Sequence, residues 1–119
     1  MIVGMPRTTS SHSLVPEAEF MRRMATSADA LAKAVADGKL FFVTRDGRKL
    51  YPGFFIGQSS DDRRHLGEVT RLLAGVDDLA KWLFFTTPKG SLGAQTPLAA
   101  LKERRFAAVR RTAEGFAQR

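Results

Sequence analysis

The segment Leu40-Phe41-Phe42-Val43-Thr44-Arg45-Asp46-Gly47-Arg48-Lys49-Leu50-Tyr51 constrains the fold more tightly than any other. An Asp-Gly pair between two short apolar-rich runs favours a two-residue type I′ turn. Both central residues of that turn hold a positive φ, which glycine adopts freely and aspartate tolerates. A turn at Asp46-Gly47 fixes the register: Arg45 opposite Arg48, Thr44 opposite Lys49, Val43 opposite Leu50 and Phe42 opposite Tyr51. Two arginines facing each other beside Lys49 repel mildly. The basic tip is therefore either a contact for an anionic partner or a solvated turn whose charges splay apart.

Helices are expected on both sides of this hairpin. Pro16, Glu17 and Glu19 suit a helix N-terminus, and Phe20, Met21 and Met24 give it an apolar stripe. Ala25-Thr26-Ser27 breaks that pattern, with Ser27 as N-cap of a second helix, Ala28 to Ala36. Leu31 and Val35 lie on its inner face, and Asp37-Gly38 ends it. Downstream, Leu66, Val69, Leu72 and Leu73 mark a helix closed by Gly75. Asp77 caps the next, with Leu79, Ala80, Trp82 and Leu83 inward, ending before Pro88. Thr96-Pro97 restarts helix, and Phe106, Val109, Ala113 and Phe116 form the stripe of a final one. The expected fold is mainly α with one β-hairpin: a tail over 1–15, a winged helix-turn-helix-like module over 16–56, a polar linker over 57–64 and a helical module over 65–119.

Composition removes several chemistries. The chain has 119 residues and no cysteine, so thiol nucleophiles, CxxC redox pairs and a disulfide scaffold are absent. His12 and His65 are isolated, so no His-rich metal cluster can be assembled, and His65 has no base or orienting acid at recognisable spacing for nucleophilic catalysis. Asp61-Asp62 and Asp77-Asp78 sit where helices begin, so capping accounts for them better than a metal. The chain is expected not to be an enzyme, with no catalytic residue, metal or cofactor. Lys and Arg total 19 against 12 Asp and Glu, a net charge of +7, spread over both halves without a block of like charges. Such a balance points to a polyanion or an acidic protein surface and is silent on fold. Apolar runs fall far short of the ~20 residues that span a bilayer, and the N-terminus lacks a secretory pattern. A soluble, cytoplasmic protein is expected.

Two short helices with a tight break, followed by a basic hairpin, outline a winged helix-turn-helix, whose second helix enters a major groove while the hairpin tip rides on phosphates. The DNA-facing candidates are Ser27, Asp29, Ala30 and Lys33 on the helix and Arg45, Arg48 and Lys49 on the wing. The helix itself carries no Arg, Asn or Gln for bidentate base contacts.

The second half holds Trp82-Leu83, Pro88, Leu92-Gly93, Thr96-Pro97-Leu98, Leu101 and then the Phe106/Val109 helix. In that order these residues resemble the toxin-binding domain of the Xre/MbcA/ParS-type antitoxins, over roughly residues 66–118. Lys89 stands where that family often has Asn, and Ala94 where a second glycine is common. The stretch Gly38-Lys39-Leu40 through Arg48 and Tyr51-Pro52 resembles the short winged segment that precedes the domain in some relatives. There, Phe55 replaces a frequent glutamine, and the first helix lacks the usual glycine in its turn. The resemblance implies a homodimeric antitoxin that binds its own operator and neutralises a partner toxin, usually a RES-domain enzyme that consumes NAD. It places the final helix and tail in the toxin, with Arg110, Arg111, Phe116 and Arg119 as contacts. Trimming residues 110–119 would then abolish neutralisation and leave the fold intact. The alternative reading is a stand-alone basic DNA-binding regulator whose C-terminal helices only dimerise.

Overall fold

A computed structural model describes residues 13–118, so His12 and Arg119 lie outside the described residues. Six α-helices and a small antiparallel sheet are formed there: β1 (Leu14–Pro16), α1 (Glu17–Met24), α2 (Ala28–Ala36), β2 (Val43–Arg45), β3 (Arg48–Pro52), α3 (Ser60–Leu72), α4 (Asp78–Thr86), α5 (Pro97–Lys102) and α6 (Phe106–Ala117). No helix among the described residues is long and apolar enough to cross a membrane.

The hairpin forms in the expected register, with Val43, Thr44 and Arg45 opposite Leu50, Lys49 and Arg48. Asp46 and Gly47 hold φ of 53° and 75°, the double left-handed conformation of a type I′ turn. Phe42 falls just outside β2, yet its ring lies 5.5 Å from that of Tyr51.

The sheet has three strands in the order β1-β3-β2, not one hairpin alone. Leu14 and Val15, expected in a tail, pair with Pro52 and Tyr51, and the Gly53 N–H donates to the Ser13 carbonyl at 2.8 Å. Pairing gives this short strand the backbone partners that a three-residue apolar run cannot announce by alternation.

Four of the six helices begin at a side-chain cap. The Ser27 hydroxyl accepts from the Ala30 N–H at 3.1 Å, and that of Thr96 from Ala99 at 3.1 Å with Pro97 in the first turn. Asp77 accepts from Leu79 at 3.1 Å. Ser59 accepts from Asp62 at 3.1 Å, so α3 begins at Ser60 and takes in residues expected in the linker.

One core runs from the sheet through α1 to α6. Phe20 stacks on Tyr51 at 4.8 Å. The 3-10 turn Gly53–Phe55 delivers two buried rings, and Phe85 of α4 meets Phe54 at 5.1 Å and Phe41 at 6.3 Å. Phe84 then reaches Phe116 of α6 at 5.2 Å. All nine phenylalanines belong to this cluster or pack against it.

Helix α4 turns a different face inward from the expected one. Phe84 and Phe85 are fully buried, whereas Leu79 and Leu83 are 48% and 46% exposed. The larger aromatic surfaces take the core because they remove more apolar area from water than leucine does. Trp82 packs partly buried against the cluster, and its indole N–H has no hydrogen-bond partner among the described residues.

Candidate functional site

Three surfaces collect the charged side chains that could meet a partner. The first is the hairpin tip. Arg45, Arg48 and Lys49 are exposed there, the Lys49 ammonium standing 5.0 Å from the Phe42 ring. Neither arginine has an ion-pair partner among the described residues. Helix α2 contributes less. The Ser27 side chain is occupied as a cap, and the exposed lysine, Lys33, stands with two aspartates, Asp29 and Asp37, so this face carries no net positive charge.

The second surface is the end of the chain. The segment joining α4 to α5 is held rigidly. Gly90–Leu92 makes one 3-10 turn, Gly93 closes it at φ 65°, and Lys89 pairs with Gln95 across the loop, its N–H donating to the Gln95 carbonyl at 3.0 Å. Arg105 pins this loop from the start of α6, donating to the Leu92 carbonyl at 3.1 Å and to Gln95 Oε1 at 2.6 Å. The hydroxyls of Ser91 and Thr112 bridge at 2.9 Å. Between loop and helix lies an open cleft of about 490 Å³, bordered by Lys89, Ser91, Arg111, Thr112 and Phe116. The Lys89 ammonium stands 5.0 Å and 4.8 Å from the rings of Phe84 and Phe116, a cation–π arrangement that fixes positive charge over the apolar wall.

The expected contacts of this helix therefore divide. Arg111 and Phe116 share the cleft. Arg110 instead meets Glu68 of α3 at 3.7 Å. Phe116 serves core and cleft together, and Ala113 is fully buried. Removing residues 110–119 would strip core as well as surface, so the truncation expected to spare the fold would not. The loop residues Lys89 and Ser91 were not singled out as contacts in the sequence. Only their place after the proline, opposite the polar face of the last helix, could have drawn notice.

The third surface lies between the turn after α2 and helix α3, where Lys39, Arg63, Arg64 and Arg71 border a groove of about 530 Å³. The signal in the sequence is the spacing of Arg63, Arg64, Gly67 and Arg71, which puts them on one side of a helix.

His65 packs between α3 and α6. Its ring stacks on Phe106 at 3.6 Å, and its nitrogens lie 3.7 Å from Asp61 and Glu68. Arg64, hydrogen-bonded to Asp61, holds that carboxyl below the usual carboxylate range, with the charge of Arg104 adding to the effect. Asp78 is paired with Lys81 at 3.2 Å. Among the described residues no group of three or more His, Cys, Asp or Glu side chains could hold a metal.

No family model matches the chain, and neither a curated protein nor a solved structure matches it.

Proposed function

We propose that the chain is a non-enzymatic, antitoxin-like regulator that binds and neutralises a partner toxin through the end of α6. The partner class implied by the resemblance is a RES-type enzyme that consumes NAD. The supporting observation is the cleft beside α6. The Leu92-Gly93-x-x-Thr96-Pro97-Leu98 segment folds into a pinned turn and a capped helix. That frame presents Arg111 and Lys89 together with the partly exposed Phe116. An apolar anchor beside two cations suits a protein surface with an acidic rim, where a few central residues carry most of the affinity.

A second role, binding of operator DNA through a winged helix-turn-helix-like module, is favoured by the sheet order. The strand that precedes the helix pair returns to pair with the far strand of the hairpin. Helices α1 and α2 are separated by only Ala25-Thr26-Ser27, the spacing of a helix-turn-helix. Phosphate contact would come from Arg45, Arg48 and Lys49, because the outer face of α2 carries no net positive charge. The runner-up reading keeps only this role, with the C-terminal helices serving to dimerise.

The experiment is affinity capture with an N-terminally tagged chain from nuclease-treated lysate of its own cells, washed at moderately high salt. The expected result is a stoichiometric protein partner that is lost with Arg111→Glu and retained with Arg45→Ala/Arg48→Ala. Loss of all protein in the wash, together with DNA recovered when nuclease is omitted, would overturn the antitoxin reading in favour of the stand-alone DNA-binding one.

A further inference from the structure

The groove on α3 shares no bordering residue with the C-terminal cleft, and its construction is reciprocal. Gly67 of α3 lets the Lys39 stem lie directly on the helix, since a Cβ there would stand 3.4 Å from Lys39 Cβ. Gly38, left-handed at φ 77°, in turn faces the Arg71 stem, with a Cβ there 3.5 Å from Arg71 Cγ. Each long side chain thus rests its aliphatic part against a glycine and keeps its charged head in water.

Three of the cations in this groove, Lys39, Arg63 and Arg71, are exposed and have no ion-pair partner among the described residues. The other charges are committed elsewhere. Arg64 pairs with Asp61, and Glu68 meets His65 and Arg110. Met24, partly exposed, lines the groove with the largely buried Leu40 and Phe55 beneath it. A groove that sets apolar side chains beside its cations is poorly matched to a nucleic-acid backbone, which is convex and polar and takes its affinity from phosphate contacts. It matches a peptide that seats an apolar side chain and directs carboxylates to either side. Arginine forks then engage the carboxylates in bidentate fashion, and the thioether of Met24 adapts to the buried side chain.

We propose that this groove is a docking site for an acidic peptide segment of a partner protein. The segment carries an apolar anchor that sits over Met24 and Leu40, and carboxylates that meet Arg63, Arg71 and Lys39. The site is independent of the antitoxin reading, because it uses neither α6 nor the hairpin tip.

The test is selection of a random-peptide display library on the immobilised full chain, with counter-selection on the Arg63→Glu/Arg71→Glu variant. Enriched peptides are then measured individually by fluorescence anisotropy. The expected winners carry Asp or Glu on both sides of an apolar residue. Their affinity should fall about tenfold or more in the variant, fall as salt rises, and be unchanged in Arg45→Ala/Arg48→Ala. Circular dichroism establishes that the charge-reversed chain is folded, and the milder Arg63→Ala/Arg71→Ala pair serves if it is not. The proposal is overturned if no peptide distinguishes wild type from variant, or if the enriched peptides lack acidic residues. It is equally overturned if a DNA duplex displaces the peptides and itself loses affinity in the variant, which would make the groove a nucleic-acid site.

Discussion

Ala25 and Ala94 hold left-handed backbone, with φ of 54° and 71°. That conformation costs an L-residue about 1–2 kcal/mol, while glycine gives back about 0.5–1 kcal/mol in chain entropy. Ala25→Gly and Ala94→Gly are each expected to stabilise the fold by about 0.5–1 kcal/mol in urea titration, and a loss of stability would contradict this account of the two turns. The resemblance drew notice to Ala94, where a second glycine is common in the family it resembles, while Ala25 was not singled out and the strain at either position was not legible. Tyr51, the sole tyrosine, is buried and donates to Glu17 Oε2 at 3.0 Å. Burial first, then that hydrogen bond and the Glu17 charge, push its phenol well above the ordinary range. Below about pH 10 the phenol is protonated in both folded and unfolded chains, and no stability depends on it. Above that pH the unfolded chain releases the proton and the folded chain keeps it, so stability falls as pH rises. Tyrosinate absorbance should therefore appear only together with the loss of circular dichroism. Ionisation at ordinary pH in a folded chain would contradict the geometry around Glu17.

At the scale of elements, signals that depend on short-range stereochemistry were readable and those that depend on competition for the core were not. The Asp46-Gly47 turn, the Ser27 and Thr96 caps and the α6 stripe stand where their residues put them, since each is decided within four or five positions. Strand β1 was hidden because its partner lies more than thirty residues away in sequence. Helix α4 was misread because leucines at spacing four look like an inner face until the neighbouring Phe84 and Phe85 compete for the same space. Leu83→Gln is accordingly expected to change stability by no more than about 0.5 kcal/mol, whereas Phe85→Ala should cost about 3–5 kcal/mol. Equal effects in denaturant would restore the leucine face. The hairpin offers a similar separation. Arg48→Glu places opposite charges across the strand pair from Arg45 and should stabilise the hairpin by a few tenths of a kcal/mol. If the hairpin holds DNA as proposed, the same change weakens that binding and flattens its salt dependence. Unaltered affinity would remove the hairpin from the proposed nucleic-acid role.

For the whole molecule, ring contacts run from Phe41 and Phe54 to Phe85, and on through Phe84 to Phe116, in the same core that holds Phe20 and Tyr51, so the two halves share it. Thermal or urea unfolding followed by Trp82 fluorescence and by far-ultraviolet circular dichroism should therefore give coincident transitions; two separated transitions would mean that the sheet module and the helical module stand independently. The two ends of this core carry different basic surfaces, the hairpin tip and the α6 cleft. The sequence made the tip visible as a run, but the cleft needs Lys89 and Arg111, over twenty residues apart, to meet across the α4–α5 loop. The central claim is that the α6 cleft silences a partner enzyme. It is tested most directly by the NAD turnover of the captured partner, assayed with and without added chain. Wild-type chain should suppress NAD consumption at equimolar ratio, and Arg111→Glu should leave it running. A partner that consumes no NAD, or one whose turnover is indifferent to the wild-type chain, would contradict the claim.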